Sequence, residues 1–292
     1  MPATSALITV AELNEQLGAV VILDVQYTLD GEGPDRYATA HLPGAPHLDL
    51  DAVLADPAGV HGRHPLPSAE RLQAGLRAVG LDDDAIDVST GPTAGATRVV
   101  VYDQGPALGA ARAWWVLRWA GLTNVRVLHG GLTAWQRAGL PTTTEGPTIA
   151  PGTITIRPGA VPVLAADDVL PHLARGGMLL DARTAERFRG EVEPIDTEAG
   201  HIPGATSLPI GSVLTADGTF AAPEVTRRVL AEHGIPTGTG DHPTVATSCG
   251  SGITACQLTL ALHEAGIASK PYIGSWSEWI TDPARPRATG AA

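Results

Sequence analysis

The stretch that decides the fold is TVATSCGSGITACQLTLALHEAG, residues 244–266. A short β-rich run, residues 244–248, leads into a glycine-rich turn, and an apolar segment over residues 254–265 then ends at Gly266. Such runs indicate buried strands, and a longer apolar segment that ends at glycine indicates a helix. Strand, turn and helix in this order are part of a βαβ unit, which predicts a parallel sheet covered by helices.

The same landmarks occur twice along the chain, in one order. The first half contains VILDV at 21–25, HLPGA at 41–45, VVVYD at 99–103 and GGLTAW at 130–135. The second half contains MLLDAR at 178–183, HIPGA at 201–205, TVATSC at 244–249 and GSWSEW at 274–279. A second helix is expected over residues 110–120. The repeat predicts two α/β domains, each a parallel sheet with helices on both faces.

The repeat also predicts the domain boundaries. We expect an N-terminal domain over residues 1–142, a linker over 143–162 and a C-terminal domain over 163–292. Four prolines and several threonines between Pro141 and Ala160 favour an extended linker. The tail from Pro283 is rich in Pro, Arg, Ala and Gly, and we expect it to fray.

Composition restricts the function. The net charge of −12 argues against a nucleic-acid partner, and the chain has no apolar run of membrane-spanning length. Residues 1–10 lack the basic and apolar regions of a signal peptide, and two cysteines are too few for a disulfide scaffold. We therefore expect a cytoplasmic protein that binds neither nucleic acid nor membrane.

Cys249 is the candidate reactive group. It follows the predicted strand of the second half, whereas Asp103 takes the corresponding place in the first half. Gly250 and Gly252 allow the backbone N–H groups of the turn, including those of Ile253 and Thr254, to converge on one point near a helix N-terminus. Such an arrangement stabilises a thiolate, so the second half is predicted to be the reactive one.

Two alternatives concern the cysteines. A phosphatase would close a similar loop with an arginine that binds phosphate, but Ala255 stands at that position and the loop contains no arginine. Cys256 lies inside the predicted helix among apolar residues, so we interpret it as a packing residue. Redox pairing of Cys256 with Cys249 is the minor alternative.

The repeated landmarks and the loop Cys249-Gly-Ser-Gly-Ile-Thr-Ala255 resemble the tandem-domain rhodanese and 3-mercaptopyruvate sulfurtransferase family. The resemblance covers nearly the whole chain. It implies an inactive first domain, a catalytic second domain, a persulfide intermediate on Cys249 and no metal or organic cofactor. It also implies a small-molecule sulfur donor, and a thiol, thioredoxin or cyanide as acceptor.

The resemblance favours 3-mercaptopyruvate as donor. Loops for thiosulfate carry basic side chains beside the cysteine, whereas this loop is uncharged, as in mercaptopyruvate enzymes. Arg187 matches the position that binds the donor carboxylate, and Arg183 is a further candidate. Relatives place a second arginine shortly afterwards, but residues 190–196 read GEVEPID. A thiosulfate sulfurtransferase and a non-catalytic persulfide carrier therefore stay open as alternatives.

Mercaptopyruvate members also pair the loop serine with a histidine and an aspartate from the first half. The segments around residues 47–51 and 63–67 resemble those that supply them, with a somewhat longer spacing. The resemblance nominates Ser251, His64 and Asp51 as a proton relay. His41 and His201 recur in both repeats, and we expect them to be structural.

Overall fold

The computed structural model describes residues 5–86, 98–237 and 243–291, which form two compact units. The first unit holds residues 5–56 and 66–161, and the second holds residues 57–65 together with the chain from residue 162. The outer ends of the predicted domains, residues 1 and 292, lie outside the described residues. The inner boundaries at 142 and 163 stay a prediction.

The first unit is built on a parallel sheet. Its strands lie in the order β1-β4-β3-β2, and each neighbouring pair runs parallel. In chain order the elements are β1 (Leu7–Ile8), α1 (Val10–Glu15), β2 (Val21–Asp24), α2 (Gly33–Thr39), α3 (Leu50–Val53), α4 (Ala69–Ala78), β3 (Val99–Tyr102), α5 (Leu108–Trp119), β4 (Val125–Leu128) and α6 (Gly131–Arg137).

The second unit has a sheet of the same kind. Its strand order is β6-β5-β7-β8, again with parallel neighbours. The elements are α7 (Val169–Ala174), β5 (Met178–Asp181), α8 (Ala185–Arg189), β6 (Thr206–Ser207), α9 (Pro223–Glu232), β7 (Val245–Ser248), α10 (Ile253–Glu264), β8 (Ser269–Pro271) and α11 (Ser275–Trp279). Short 3-10 turns span Asp83–Ala85 in the first unit, and Ala166–Asp168 and Ile210–Val213 in the second.

The two helices expected from the sequence are present as α5 and α10. Nine of the twelve residues of each helix are buried, because each helix packs against the sheet of its own unit. Each is followed by a glycine with positive φ, Gly121 at 103° and Gly266 at 78°, a conformation that glycine adopts without steric cost. The predicted α/β fold class is confirmed. In the part of the chain that the structure describes, no helix has both the length and the apolar character for crossing a membrane.

The segment expected to be a linker is bound along the first unit. Asp82 accepts hydrogen bonds from the backbone N–H and hydroxyl of Thr153, both at 2.8 Å, and Asp83 accepts one from the N–H of Thr155 at 2.7 Å. The guanidinium of Arg77 donates to the carbonyl of Ile154 at 2.9 Å. These contacts hold residues 153–155 to the first unit, and the predicted role of the segment as a linker stays a prediction.

The C-terminal tail is ordered against the second unit, so the expectation that it frays is wrong. The backbones of Ala288 and His201 exchange hydrogen bonds of 2.8 and 3.0 Å. Arg287 forms an ion pair with Glu198 at 2.6 Å. Composition suggested fraying, but backbone pairing with the HIPGA landmark satisfies the tail's polar groups.

Residues 57–65 belong to the second unit although they come from the first half of the sequence. The N–H of Arg63 donates to Ser277 Oγ at 3.1 Å, and the hydroxyl of Thr281 donates to the carbonyl of Val60 at 2.9 Å. Gly62 has φ of 97°, and a Cβ there would lie 2.8 Å from Ser277 Oγ. Glycine therefore lets this segment pack closely on α11 and reach the cysteine loop.

Candidate active site

Cys249 lies directly after β7, and only 3% of its surface is exposed. The N–H of Gly252 donates to Cys249 Sγ at 3.1 Å. Gly252 adopts φ of 85°, and a Cβ at this position would collide with the carbonyl oxygen of Ile273. The tight turn therefore requires glycine. Ile253 and Thr254 begin α10 immediately afterwards, so the sulfur lies at the positive end of this helix.

Ser275 holds the cysteine from the other side, a contact that the sequence reasoning missed. Its hydroxyl oxygen accepts a hydrogen bond from the N–H of Cys249 at 3.1 Å and lies 3.9 Å from Sγ. The same hydroxyl donates to the carbonyl of Tyr272 at 2.8 Å. Ser275 is fully buried and has φ of 52°, unusual for a residue other than glycine. Its place in the repeated GSWSEW landmark was the available signal.

His64 and Ser251 are brought together as predicted. His64 Nδ1 lies 2.9 Å from Ser251 Oγ, and the serine is 5% exposed. The contact forms inside the second unit, because residues 57–65 are part of it. Asp51 lies in the first turn of α3 and belongs to the first unit. Its membership of the relay stays a prediction.

Two guanidinium groups lie beside Gly250. A Cβ at this position would be 2.9 Å from Nη2 of Arg63, and 3.6 and 3.7 Å from the terminal nitrogens of Arg187. Arg187 was predicted to bind the donor, whereas Arg63 was missed. Arg63 directly precedes His64, so the nomination of the histidine could have drawn attention to it. Glycine at 250 leaves room for both cations above the loop.

Both arginines contact carboxylates of the segment that follows α8. Arg187 donates to Glu193 from Nε at 3.1 Å and from Nη2 at 2.6 Å, and to Asp196 from Nη2 at 3.1 Å. Arg63 donates to the other oxygen of Asp196. The side chains of Glu193 and Asp196 are 4% and 3% exposed. Asp196 therefore bridges the two cations nearest the cysteine loop.

Arg183 has structural contacts, which argues against its predicted part in donor binding. It forms an ion pair with Asp181 at 2.7 Å and donates to the carbonyl of Gly200 at 2.8 Å. In the first unit, Gln26 makes the same pair of contacts, to Asp24 at 2.9 Å and to the carbonyl of Ala40 at 3.0 Å. Gln26 makes these contacts in the unit whose loop has no cysteine. We therefore interpret the same contacts of Arg183 as serving the fold.

His41 and His201 fit the predicted structural role. His41 Nδ1 lies 2.8 Å from the carbonyl of Tyr37, and its ring stacks on that tyrosine. His201 Nδ1 lies 2.8 Å from the carbonyl of Phe188, and its ring stacks on that phenylalanine. Each histidine thus joins its HxPGA landmark to the helix before it.

The second cysteine is part of the interior of α10. Cys256 is fully buried, and neither it nor Cys249 forms a disulfide. Buried cysteines among apolar residues behave as small hydrophobic side chains. The packing interpretation of Cys256 agrees with this burial, and redox pairing with Cys249 stays an untested alternative.

In the first unit, Asp103 occupies the place of Cys249. Its carboxylate accepts hydrogen bonds from the N–H groups of Gly105 and Ala107 at 2.9 and 3.0 Å, and from that of Ala110 at 3.4 Å. Burial raises the pKa of Asp103, although these three N–H groups oppose the shift. The loop after β3 is thus closed around a carboxylate and offers no thiol.

Comparison with known proteins assigns the chain to a family. The model of the rhodanese-like domain matches residues 9–138 and 165–282. A protein of Mycobacterium tuberculosis with the provisional name thiosulfate sulfurtransferase SseB is 44% identical over 98% of each chain. A Pseudomonas aeruginosa protein with the provisional name 3-mercaptopyruvate sulfurtransferase is 41% identical over 98% of this chain and 99% of the relative.

A solved structure agrees with these sequence relatives. The 3-mercaptopyruvate sulfurtransferase SseA of Escherichia coli superposes with a TM-score of 0.78 at 29% identity, over 94% of this chain and 100% of the other. The predicted family, fold and sulfurtransferase class are confirmed. The chain belongs to the rhodanese-like family and carries two domains of that family in tandem, with a cysteine at the loop after β7 of the second.

Proposed function

We propose that the chain transfers sulfur from 3-mercaptopyruvate to a thiol, thioredoxin or cyanide through a persulfide on Cys249. The observation that carries this proposal is the position of the sulfur. Cys249 Sγ accepts the N–H of Gly252, in a loop whose own side chains are uncharged, and Ser251 of the same loop contacts His64. This arrangement suits a nucleophilic thiolate with a proton-transfer group beside it.

In the first half-reaction, the thiolate of Cys249 attacks the sulfur of the donor. The bond between that sulfur and the donor carbon breaks, and its electron pair leaves with the carbon as the enolate of pyruvate. Protonation of the enolate carbon gives pyruvate, and the transferred sulfur remains on Cys249 as a persulfide. An acceptor thiol then attacks the outer sulfur and returns Cys249 to the thiolate.

The remaining residues bind the donor or move the proton. Arg187 and Arg63 lie beside Gly250 and supply guanidinium groups for the donor carboxylate. His64 and Ser251, 2.9 Å apart, transfer the proton that the enolate requires, and Asp51 is proposed to orient the histidine. The N–H groups at Gly250, Gly252, Ile253 and Thr254 are proposed to stabilise the negative charge on sulfur.

Thiosulfate is the second candidate donor, and Arg63 favours it. The guanidinium of Arg63 lies 2.9 Å from the point that a Cβ at position 250 would occupy. It thus brings positive charge to a loop whose own side chains are uncharged. A dianionic sulfonate needs positive charge close to the sulfur. A chain with only two cysteines has no disulfide scaffold, and we propose that the activity takes place in the cytoplasm.

Steady-state kinetics with each donor tests the proposal. We expect kcat/KM for 3-mercaptopyruvate to exceed that for thiosulfate, with pyruvate released at each turnover and one added sulfur on the protein by intact-mass analysis. Cys249→Ser should abolish both signals, because a serine hydroxyl is a far weaker nucleophile than a thiolate at neutral pH. Cys256→Ser is the matched control and should keep both.

Other outcomes separate the alternatives. A larger kcat/KM with thiosulfate would replace the donor in the proposal. A persulfide on Cys249 without catalytic release of pyruvate or sulfite would identify a carrier instead of an enzyme. Sulfur loading that persists in Cys249→Ser would contradict the persulfide mechanism itself.

A further inference from the structure

We propose that Asp196 is a specificity-determining residue, which selects the sulfur donor by lowering the positive charge beside the cysteine loop. The inference deepens the proposed function, since it concerns the donor side of the same site. It starts from the contacts of Asp196, whose carboxylate accepts hydrogen bonds from Arg63 and from Arg187. These are the two guanidinium groups that lie beside Gly250.

The position of Asp196 is fixed by the turn that carries it. Glu193 Oε1 accepts the N–H groups of Ile195 and Asp196 at 3.1 and 3.0 Å, which closes the turn on itself. The carboxylate of Asp196 is then 3% exposed, whereas the side chains of Arg63 and Arg187 are 28% and 15% exposed. The buried carboxylate of Asp196 thus contacts both arginines. An anion that binds at the loop would interact with the same two guanidinium groups.

The contacts of this cluster join equal numbers of opposite charges. Arg63 and Arg187 pair with Asp196, Arg187 and Arg183 pair with Glu193, and Arg183 also pairs with Asp181. Three guanidinium groups are therefore matched by three carboxylates. A donor therefore meets guanidinium groups whose charge is largely balanced by carboxylates.

Low net charge affects the two candidate donors unequally. At neutral pH 3-mercaptopyruvate carries a single carboxylate charge, while thiosulfate is a dianion. A change in local electrostatic potential acts once on the monoanion and twice on the dianion. Asp196 therefore disfavours thiosulfate more than 3-mercaptopyruvate, independently of which donor the wild type uses faster.

The test compares donor selectivity in Asp196→Asn with that of the wild type. The amide keeps an oxygen that accepts from one arginine and removes the negative charge. We expect the ratio of kcat/KM for thiosulfate to kcat/KM for 3-mercaptopyruvate to rise about tenfold at low salt, and the rise to shrink as salt screens the site. Asp196→Glu, which keeps the charge, should leave the ratio near that of the wild type.

Glu191→Gln is the matched control. Glu191 lies in the same segment but pairs with Arg189 on the surface, so its removal should leave the ratio unchanged. A purely structural role for Asp196 predicts equal losses with both donors. An unchanged or lowered ratio in Asp196→Asn would overturn the inference.

A folding failure has a separate control. If Asp196→Asn does not fold, Glu193→Gln is expected to raise the ratio in the same direction, because Glu193 also pairs with Arg187. An unchanged ratio in that variant would equally overturn the inference. The donor preference of the wild type tests the proposed function separately, since the inference concerns only the change between variants.

Discussion

After β3, the N–H groups of Gly105 and Ala107 point at the carboxylate of Asp103, at 2.9 and 3.0 Å, whereas after β7 the N–H of Gly252 points at the sulfur of Cys249 at 3.1 Å. Both loops lead from the end of a central parallel strand into a buried helix. The backbone arrangement is therefore common to both units, and its N–H groups donate to the acceptor that the sequence supplies at the end of the strand.

The surroundings of the two loops also correspond. The carbonyl of Asp103 accepts the N–H of Leu132 at 2.8 Å, and that of Cys249 accepts the N–H of Trp276 at 3.0 Å. Gly131 and Ser275, which precede these donors, have positive φ values of 54° and 52°. Only the second unit has a hydroxyl at this position, and it contacts the cysteine.

Cations distinguish the two loops most clearly. Arg183 has its counterpart in Gln26. Arg187 directly precedes Phe188 as Arg36 precedes Tyr37, and Arg36 is an exposed residue that pairs with Glu32 at 3.5 Å. In the second unit, by contrast, Arg63 and Arg187 lie beside Gly250 of the cysteine loop. Substitutions in each loop can test how far this difference accounts for activity.

Among the variants that keep Cys249, Ser251→Ala should have the largest effect on activity. It removes the hydroxyl that contacts His64. The residue that corresponds to Ser251 in the first loop is Gly105, which has no side chain. We expect kcat with 3-mercaptopyruvate to fall about 100-fold, within the usual range for loss of a general acid or base. Steady-state pyruvate release measures this loss.

The KM for the donor should change little in Ser251→Ala, since Arg187 is untouched. His64→Ala should give a similar fall, and the double variant should be no worse than either single one if the two residues act as a unit. Additive losses would separate the serine from the histidine.

The variants Arg187→Gln and Arg183→Gln should differ in KM for 3-mercaptopyruvate. Glutamine is the replacement in both, because Gln26 is the first unit's counterpart of Arg183. Loss of the Arg187 guanidinium should raise KM for 3-mercaptopyruvate about 10- to 100-fold, because a charge-assisted hydrogen bond contributes about 1.5–3 kcal/mol. Arg183→Gln should keep KM within about a factor of three, as Gln26 satisfies the equivalent contacts in the first unit.

The pair of KM values is decisive for Arg183. A rise in KM for Arg183→Gln as large as that for Arg187→Gln would return Arg183 to the donor-binding residues. A lower denaturation midpoint with an unchanged KM would support its structural role.

Asp103→Ala should leave activity almost unchanged and lower stability. Three buried N–H groups lose their acceptor, which should reduce the free energy of unfolding by about 2 kcal/mol, measured by urea denaturation. Asp103→Asn keeps an acceptor oxygen and should lose less. A large fall in kcat/KM for either variant would show that the first loop contributes to catalysis.

The pH dependence of Asp103→Asn has a defined sign. Burial raises the folded-state pKa of Asp103, so its contribution to wild-type stability is greatest below the unfolded-state pKa and decreases as pH rises through the folded-state value. The wild type should therefore lose stability relative to Asp103→Asn as the pH rises toward neutrality. A difference that does not vary with pH would contradict a raised pKa.

The amino-acid sequence by itself determined the duplicated α/β fold and the candidate reactive cysteine. Strand-length apolar runs, helix-ending glycines and the repeated HxPGA landmarks depend on local physical chemistry, which leaves a readable pattern. Cys249 between a buried strand and a glycine-rich turn is such a local pattern. The resemblance to a known family then added His64 and Ser251 to the candidate site residues.

Only the tertiary structure decided which charges meet at the loop. Arg63 and Asp196 are 133 residues apart in sequence, yet they form an ion pair beside Gly250. Arg183 and Arg187 look alike in sequence, but the first is held by Asp181 inside the fold and the second lies at the loop. Ion pairs and buried contacts between distant segments carry no periodicity, so their partners become known only when the chain has folded.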